Sequence, residues 1–280
     1  MPRFLKFMSS MLLASLFSVS AVAQTAEYVA ASWDDDRIHL LDADFESISD
    51  FAAGASNPNG IAFDGQYIYS GHFGSAEMIA YEEDGTEVFR WSNPEVDSLQ
   101  ALTYIESTNE LAINGDTVDI AFLDPADGDV TRTLDLDFSC SGLEGMASDG
   151  AGGLWLLCNQ GLFLIDDTTG DQIDAVSSPT TGTCDFNGTG IAPAAGGLLA
   201  LGCTNGDWFL WNPDTESVVE SGNNGIQMYG LAPLGLDAPP PPTTDTPISV
   251  PAGSMVSWTI LALILLLAAG FVLRRRGENY

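Results

Sequence analysis

Two histidines, four cysteines and a large set of carboxylates are the side chains in this sequence with the means to do chemistry. The histidines, His39 and His72, are too few for a three-imidazole metal site. No Gly-x-Ser-x-Gly nucleophile turn, no His-Glu-x-x-His pair and no phosphate-cradling glycine loop occurs, so no catalytic motif is present. His39 falls within an apolar strand, and His72 falls just past another, in a loop beside Phe73. The sharpest acidic cluster is Asp34, Asp35 and Asp36. Three adjacent carboxylates repel one another unless they are screened or bound to a cation. Calcium suits such all-oxygen ligation, but the spacing is not that of an EF-hand loop, and a solvated loop is the plainer reading.

The elements that must position these groups come from a repeat. A Gly/Ala-apolar-small unit starts at Gly60, Ala101, Gly145, Gly190 and Gly230, with spacings of 41, 44, 45 and 40 residues. An apolar strand running into a polar turn recurs between them, at Ile38–Asp42, Ile79–Glu82, Ile120–Asp124, Phe163–Asp166 and Phe209–Asn212. Asp64-Gly65 and Asp149-Gly150 supply tight hairpin turns. Each period reads as four short strands, a to d, and four-stranded units of about 40 to 45 residues are propeller blades. The expected fold is therefore all-β, a five-bladed β-propeller. The first c–d unit precedes the first a strand, and the last a strand follows the last c–d unit. Ile226 to Ala232 is thus expected to complete the blade begun by Tyr28 to Trp33, which removes an exposed sheet edge.

This frame places the candidate groups. The residue before each a unit is Asn59, Gln100, Glu144, Thr189 or Tyr229, and every one can form hydrogen bonds. One per blade at the end of a central channel, they make a polar ring. Such a ring can hold a cation, a water cluster or a small polar ligand, or simply satisfy backbone groups and channel waters. The cysteines occupy nearly equivalent positions in two successive blades: Cys140 and Cys158 flank one a unit, Cys184 and Cys203 the next. Antiparallel a and b strands put the start of one beside the finish of the other. The expected disulfides are Cys140–Cys158 and Cys184–Cys203, in an oxidising compartment.

The ends of the chain define the setting. Residues 1–23 combine Arg3 and Lys6, the apolar stretch Met11–Val19 and the small-residue run Ala21-Val22-Ala23, the pattern of a secretory signal peptide. The propeller occupies 24–237. Residues 238–254 form a proline-rich linker, with four consecutive prolines from Pro239. Met255–Leu273 is uncharged and apolar, and as a helix would measure about 28 Å, close to one hydrocarbon core. Arg274, Arg275 and Arg276 begin a basic tail, 274–280, whose charge belongs on the cytoplasmic side. The expected product is exported and membrane-anchored, facing the periplasm, or processed to the cell surface. Of 39 Asp and Glu, only Asp245 and Glu278 lie outside the propeller segment, which carries Arg37, Arg90 and Arg132 and no lysine. That leaves a net charge near −34, which repels phosphate backbones and excludes nucleic acid as a partner. Screening in salty surroundings is the plain reason for such a surface, and a cation site is the sharper one.

Three resemblances accompany these readings. The repeat, with its strand-turn-strand pattern, resembles bacterial propellers of the quinoprotein-like and NHL type, a likeness of fold that carries no activity. The tail resembles the exosortase-type C-terminal sorting signals of bacterial envelope proteins, in their Ile-Pro-Thr-Leu or Pro-Glu-Pro forms. Here the motif position reads Pro247-Ile248-Ser249-Val250-Pro251, a departure from both. That resemblance implies a sorting protease as partner and a helix cut away after export. Leu143-Glu144-Gly145 resembles the metal-binding Glu-Gly turn of gluconolactonase-like propellers. It implies Glu144 as a calcium ligand in a calcium-assisted hydrolase or lactonase, though the Asn and Asp ligands of that family do not align here. The leading expectation is a non-catalytic binding or interaction module for a protein or small polar ligand.

Overall fold

The computed structural model describes residues 24–92, 99–114, 120–140, 142–177 and 190–235. It contains twenty strands in five four-stranded antiparallel sheets. Blade I holds β1 (Tyr28–Ser32), β2 (Arg37–Leu41), β3 (Ser47–Ala52) and, from the far end of the chain, β20 (Gly230–Pro233). Blade II is β4 (Pro58–Phe63), β5 (Ile68–His72), β6 (Glu77–Tyr81) and β7 (Glu87–Ser92). Blade III is β8 (Ala101–Ile105), β9 (Glu110–Asn114), β10 (Ile120–Leu123) and β11 (Val130–Leu134). Blade IV is β12 (Leu143–Ser148), β13 (Gly153–Cys158), β14 (Gly161–Asp166) and β15 (Gln172–Ser177). Blade V is β16 (Gly190–Ala194), β17 (Leu198–Gly202), β18 (Asp207–Asn212) and β19 (Ser217–Asn223). The architecture is the expected five-bladed propeller.

The burial pattern explains why these short strands hold together. Strands β1, β5, β9 and β13 are buried along their whole length, on both faces, whereas the outer β3 and β19 are largely exposed. Alternate residues of one strand therefore serve two different cores. Ile68 packs with Val29, Ala31 and Ile38 of blade I, while its neighbour Tyr69 packs with Leu102, Leu111 and Ile113 of blade III. Five such cores fill the five gaps between blades, and Trp211, Phe122 and Phe45 are among the largest side chains shut away in them.

Many of the acidic residues have local work. Asp64 Oδ1 accepts hydrogen bonds from the amides of Gln66 and Tyr67, and Asp149 Oδ1 from those of Ala151 and Gly153. Asp42, Asp124 and Asp166 do the same at the turns between third and fourth strands. These Asx turns are why aspartate recurs at fixed offsets in the repeat.

β20 closes the ring. It pairs with β1 in the register Tyr28↔Pro233, Val29↔Ala232, Ala30↔Leu231 and Ala31↔Gly230. The amides of Tyr229 and Leu234 extend this ladder to the carbonyls of Ala31 and Glu27. The closing strand is shorter than the expected Ile226–Ala232. Residues Ile226–Tyr229 form the turn leading into it, where Met228 is fully buried between blades V and I.

A disulfide joins Cys140 to Cys158. Cys158 ends β13 opposite Leu143 of β12, and Cys140 precedes β12, so the bridge clips the start of an inner strand to the end of its neighbour. This bond fits an extracytoplasmic protein. Cys203 is also disulfide-bonded; the pairing expected for it, with Cys184, lies outside the described residues. Replacing both Cys140 and Cys158 by serine is expected to cost about 3 kcal/mol, the loop-closure value for an 18-residue separation. Urea unfolding of the double variant beside the parent checks this, and an unchanged midpoint would count against it.

Among the described residues no helix is long and apolar enough to cross a membrane. The only helical element there is a 3-10 turn at Ala195–Gly197. The signal segment 1–23, the linker 238–254, the apolar span Met255–Leu273 and the basic tail all lie outside the described residues.

Candidate channel-mouth site

The five inner strands β4, β8, β12, β16 and β20 begin at one end of the axis, here called the mouth, and contact one another around it. In β16 and β20 the approach is close enough to require glycine. A Cβ on Gly230 would lie 2.2 Å from the carbonyl oxygen of Asn59, and one on Gly190 would lie 2.7 Å from the backbone of Gly230. The first residues of these strands enclose a narrow cavity of about 10 Å³, roughly the room needed by one water. Gln100, Glu144 and Tyr229 line it, beside Gly60, Gly145, Gly190 and Gly230. Three of the expected ring residues thus come together. Asn59 is buried at 3% exposure, and its Oδ1 has no hydrogen-bond partner among the described residues. Thr189 lies outside them.

Backbone irregularities aim two of these residues. In β12 the pairing shifts between Leu143 and Gly145, leaving Glu144 as the extra residue of a β-bulge. In β4 it shifts between Pro58 and Ile61, so that Asn59 and Gly60 share one partner position. Bulges bend a strand and redirect a side chain. Tyr229 is held by its own amide, which donates to Ala31.

An aromatic cluster adjoins Tyr229 at this end of the axis. Trp33 packs against Phe73, ring centroids 4.9 Å apart, and against Tyr229 at 5.1 Å. All three are half-buried. Trp33 and Phe73 are the first residues after the second strands of blades I and II, β1 and β5. Burial, and then the charges of Asp34 and Glu144, hold the Tyr229 phenol above its ordinary pKa, so it remains a neutral donor near neutral pH.

The Asp34–Asp36 cluster does not converge. Asp35 Oδ2 lies 3.2 Å from His39 Nε2, whereas Asp36 Oδ1 accepts the Asn57 amide at 2.7 Å. Among the described residues no group of three or more His, Cys, Asp or Glu side chains is placed to hold a metal ion.

His72 departs from expectation. It is the last residue of β5 rather than a loop residue, and it is fully buried. Its Nδ1 lies 3.1 Å from the Ser56 carbonyl, which can only accept, so Nδ1 carries the hydrogen and Nε2 does not. Desolvation lowers its pKa, outweighing the opposing effect of the Ser56 carbonyl. The folded state therefore keeps the ring neutral, while the unfolded chain takes up a proton below about pH 6.5. Stability is expected to fall as pH drops through that value, by at most about 1.4 kcal/mol per pH unit. His72→Gln, which retains a donor for Ser56, should flatten this slope between pH 7 and 5.5 in urea titrations. An identical slope in the variant would refute it.

No family model matches the chain, and no curated protein matches it. The five sheets around one axis define a five-bladed propeller, and solved structures are similar to it. A glutaminyl cyclase from Myxococcus xanthus aligns with a TM-score of 0.50 at 12% identity, over 59% of this chain and 76% of that one. A protein of unknown function from Bacteroides caccae aligns with a TM-score of 0.47 at 13% identity, over 71% and 73%. At such identities the likeness is one of fold.

Proposed function

We propose that the chain is an exported, surface-tethered propeller that binds a ligand or partner at the channel mouth without chemically altering it. The carrying observation is the convergence of Gln100, Glu144 and Tyr229 on one axial cavity, with Tyr229 packed against Trp33. The Cys140–Cys158 bond supports export. The tail's sorting-signal resemblance supports a membrane stage, with a sorting protease as partner.

The calcium-assisted hydrolase reading needs further oxygen ligands converging with Glu144, and the arrangement of the described carboxylates lends it no support. The test is a thermal-shift screen of small ligands on the full-length chain, repeated on Trp33→Ala. A parallel arm assays lactones and N-terminal glutaminyl peptides. Ligands whose stabilisation disappears in the variant, with no turnover, are the expected result. Turnover lost on Glu144→Gln would replace the binding reading with a catalytic one.

A further inference from the structure

Buried polar atoms without partners gather in one place. Among the described residues five side-chain atoms are shut away from solvent with no hydrogen-bond partner. Three of them, Asn59 Oδ1, Ser70 Oγ and His72 Nε2, belong to the paired strands β4 and β5. Ser70 and His72 are both fully buried. Leaving such groups unsatisfied is costly, so each calls for a partner.

Strand geometry puts two of the three together. Alternate residues of a strand share a face, and Ile68, two before Ser70, packs into the core between blades I and II. The intervening Gly71 faces the other way, since a Cβ there would meet Leu99. Ser70 and His72 therefore point into the same gap, where Ala31 and Ala53 of blade I contribute only single methyls. Alternate residues lie about 6.8 Å apart along a strand. The two side chains do not bond each other, but two hydrogen bonds through one water span about 5.6 Å.

The hydrogens fit one kind of molecule. The Ser56 carbonyl takes the Nδ1 hydrogen, so His72 Nε2 can only accept. The Ser70 hydroxyl has a hydrogen to give. A water accepts from Ser70 and donates to Nε2. Its second hydrogen suits Asn59 Oδ1, in the bulge beside the Pro58↔His72 pair. An anion offers the two acceptors nothing. A metal or ammonium ion would bury its charge among three neutral groups and leave the Ser70 hydrogen without an acceptor.

We propose that the seam between blades I and II binds one integral water molecule, which bridges Ser70 Oγ to His72 Nε2 and fixes the imidazole at the end of β5. This site is independent of whatever the channel mouth binds.

The chain has only two histidines, so ring-15N labelling of the full-length protein in non-ionic detergent gives two imidazoles, and His39→Gln identifies the signals of His72. Near neutral pH, Nδ1 is expected to carry the hydrogen and Nε2 to resonate upfield of a free lone pair. The His72 ring protons should also show cross-relaxation with water, with the sign of a long-lived bound molecule. Ser70→Thr keeps a hydroxyl and should retain both signals. Ser70→Val has the same shape with a methyl in its place, and should lose the water peak and move Nε2 to its free position. Absence of the water peak in the parent, a hydrogen on Nε2, or a water peak indifferent to Ser70→Val overturns the proposal. Equal loss in both variants would trace the effect to added bulk and overturn the bridge. Should neither variant fold, the water peak and the Nε2 position of the parent decide the matter.

Discussion

Gly230→Ala is expected to cost about 3 kcal/mol, the upper part of the range for forcing an extra methyl into packed structure. The reason is positional. The new Cβ would sit 2.2 Å from the Asn59 carbonyl oxygen and 2.9 Å from the Ile61 amide nitrogen. Both belong to the backbone of β4, the neighbouring inner strand, so no side-chain rotation relieves the clash. Blade I must move away from blade II, loosening the core of Ala31, Ile38, Ile61 and Ile68 between them. Gly65→Ala is the control. Gly65 has φ +91° but nothing within 4 Å of its new Cβ, so it carries backbone strain alone. Its cost is expected near 1 kcal/mol. Urea midpoints for the two variants decide the matter, and equal losses would show that the axial approach is softer than the distances imply.

Ending the chain after Gly225 is expected to remove cooperative folding altogether. The deletion takes away Met228, Leu231 and Ala232, which are 0%, 2% and 5% exposed. Burying a methionine and a leucine contributes about 1.5–3 kcal/mol each. The β1–β20 ladder goes as well, leaving the inner edge of β1 unpaired. Domains of this kind have a net stability of about 5–15 kcal/mol, so the combined loss consumes much or all of it. A synthetic peptide spanning Ile226–Gly235, supplied in trans, should restore a sharp thermal transition by adding the missing strand. A truncated chain that melts cooperatively without the peptide would mean that four and three-quarter blades suffice.

The parts of this molecule legible in sequence are those governed by local chemistry. The five inner-strand starts were readable because close axial contact demands glycine or alanine there, at Gly60, Ala101, Gly145, Gly190 and Gly230. The third-to-fourth strand turns were readable because Asp42, Asp124 and Asp166 accept backbone amides within their own turns. Cys140–Cys158 followed from the antiparallel pairing of neighbouring strands.

What escaped depends on how neighbouring blades meet. Trp33 and Phe73 lie 40 residues apart and touch only because successive second strands finish side by side at the mouth. Asking which residue follows each second strand, as was asked of each first strand, would have found both. His72 read as a loop residue because nothing in Ser70-Gly71-His72 reveals that β5 continues to it under the cover of Ser56. The aspartate triplet suggested convergence by adjacency, whereas the positive φ of Asp36 turns that side chain toward Asn57.

The join between β1 and β20 also sets the order of assembly. Tyr28 and its partner Pro233 are separated by about two hundred residues. All other strand pairs in the ladder are hairpin neighbours in sequence, able to form as each blade is completed. Blade I alone must wait, with the inner edge of β1 open, until the chain beyond Gly230 has arrived. Long-range pairing of this kind is slow and leaves a strand edge free for the wrong partner. The last contact to form is therefore the kinetic weak point of folding, and a chain made from its first residue onward carries that unpaired edge until its final strand arrives.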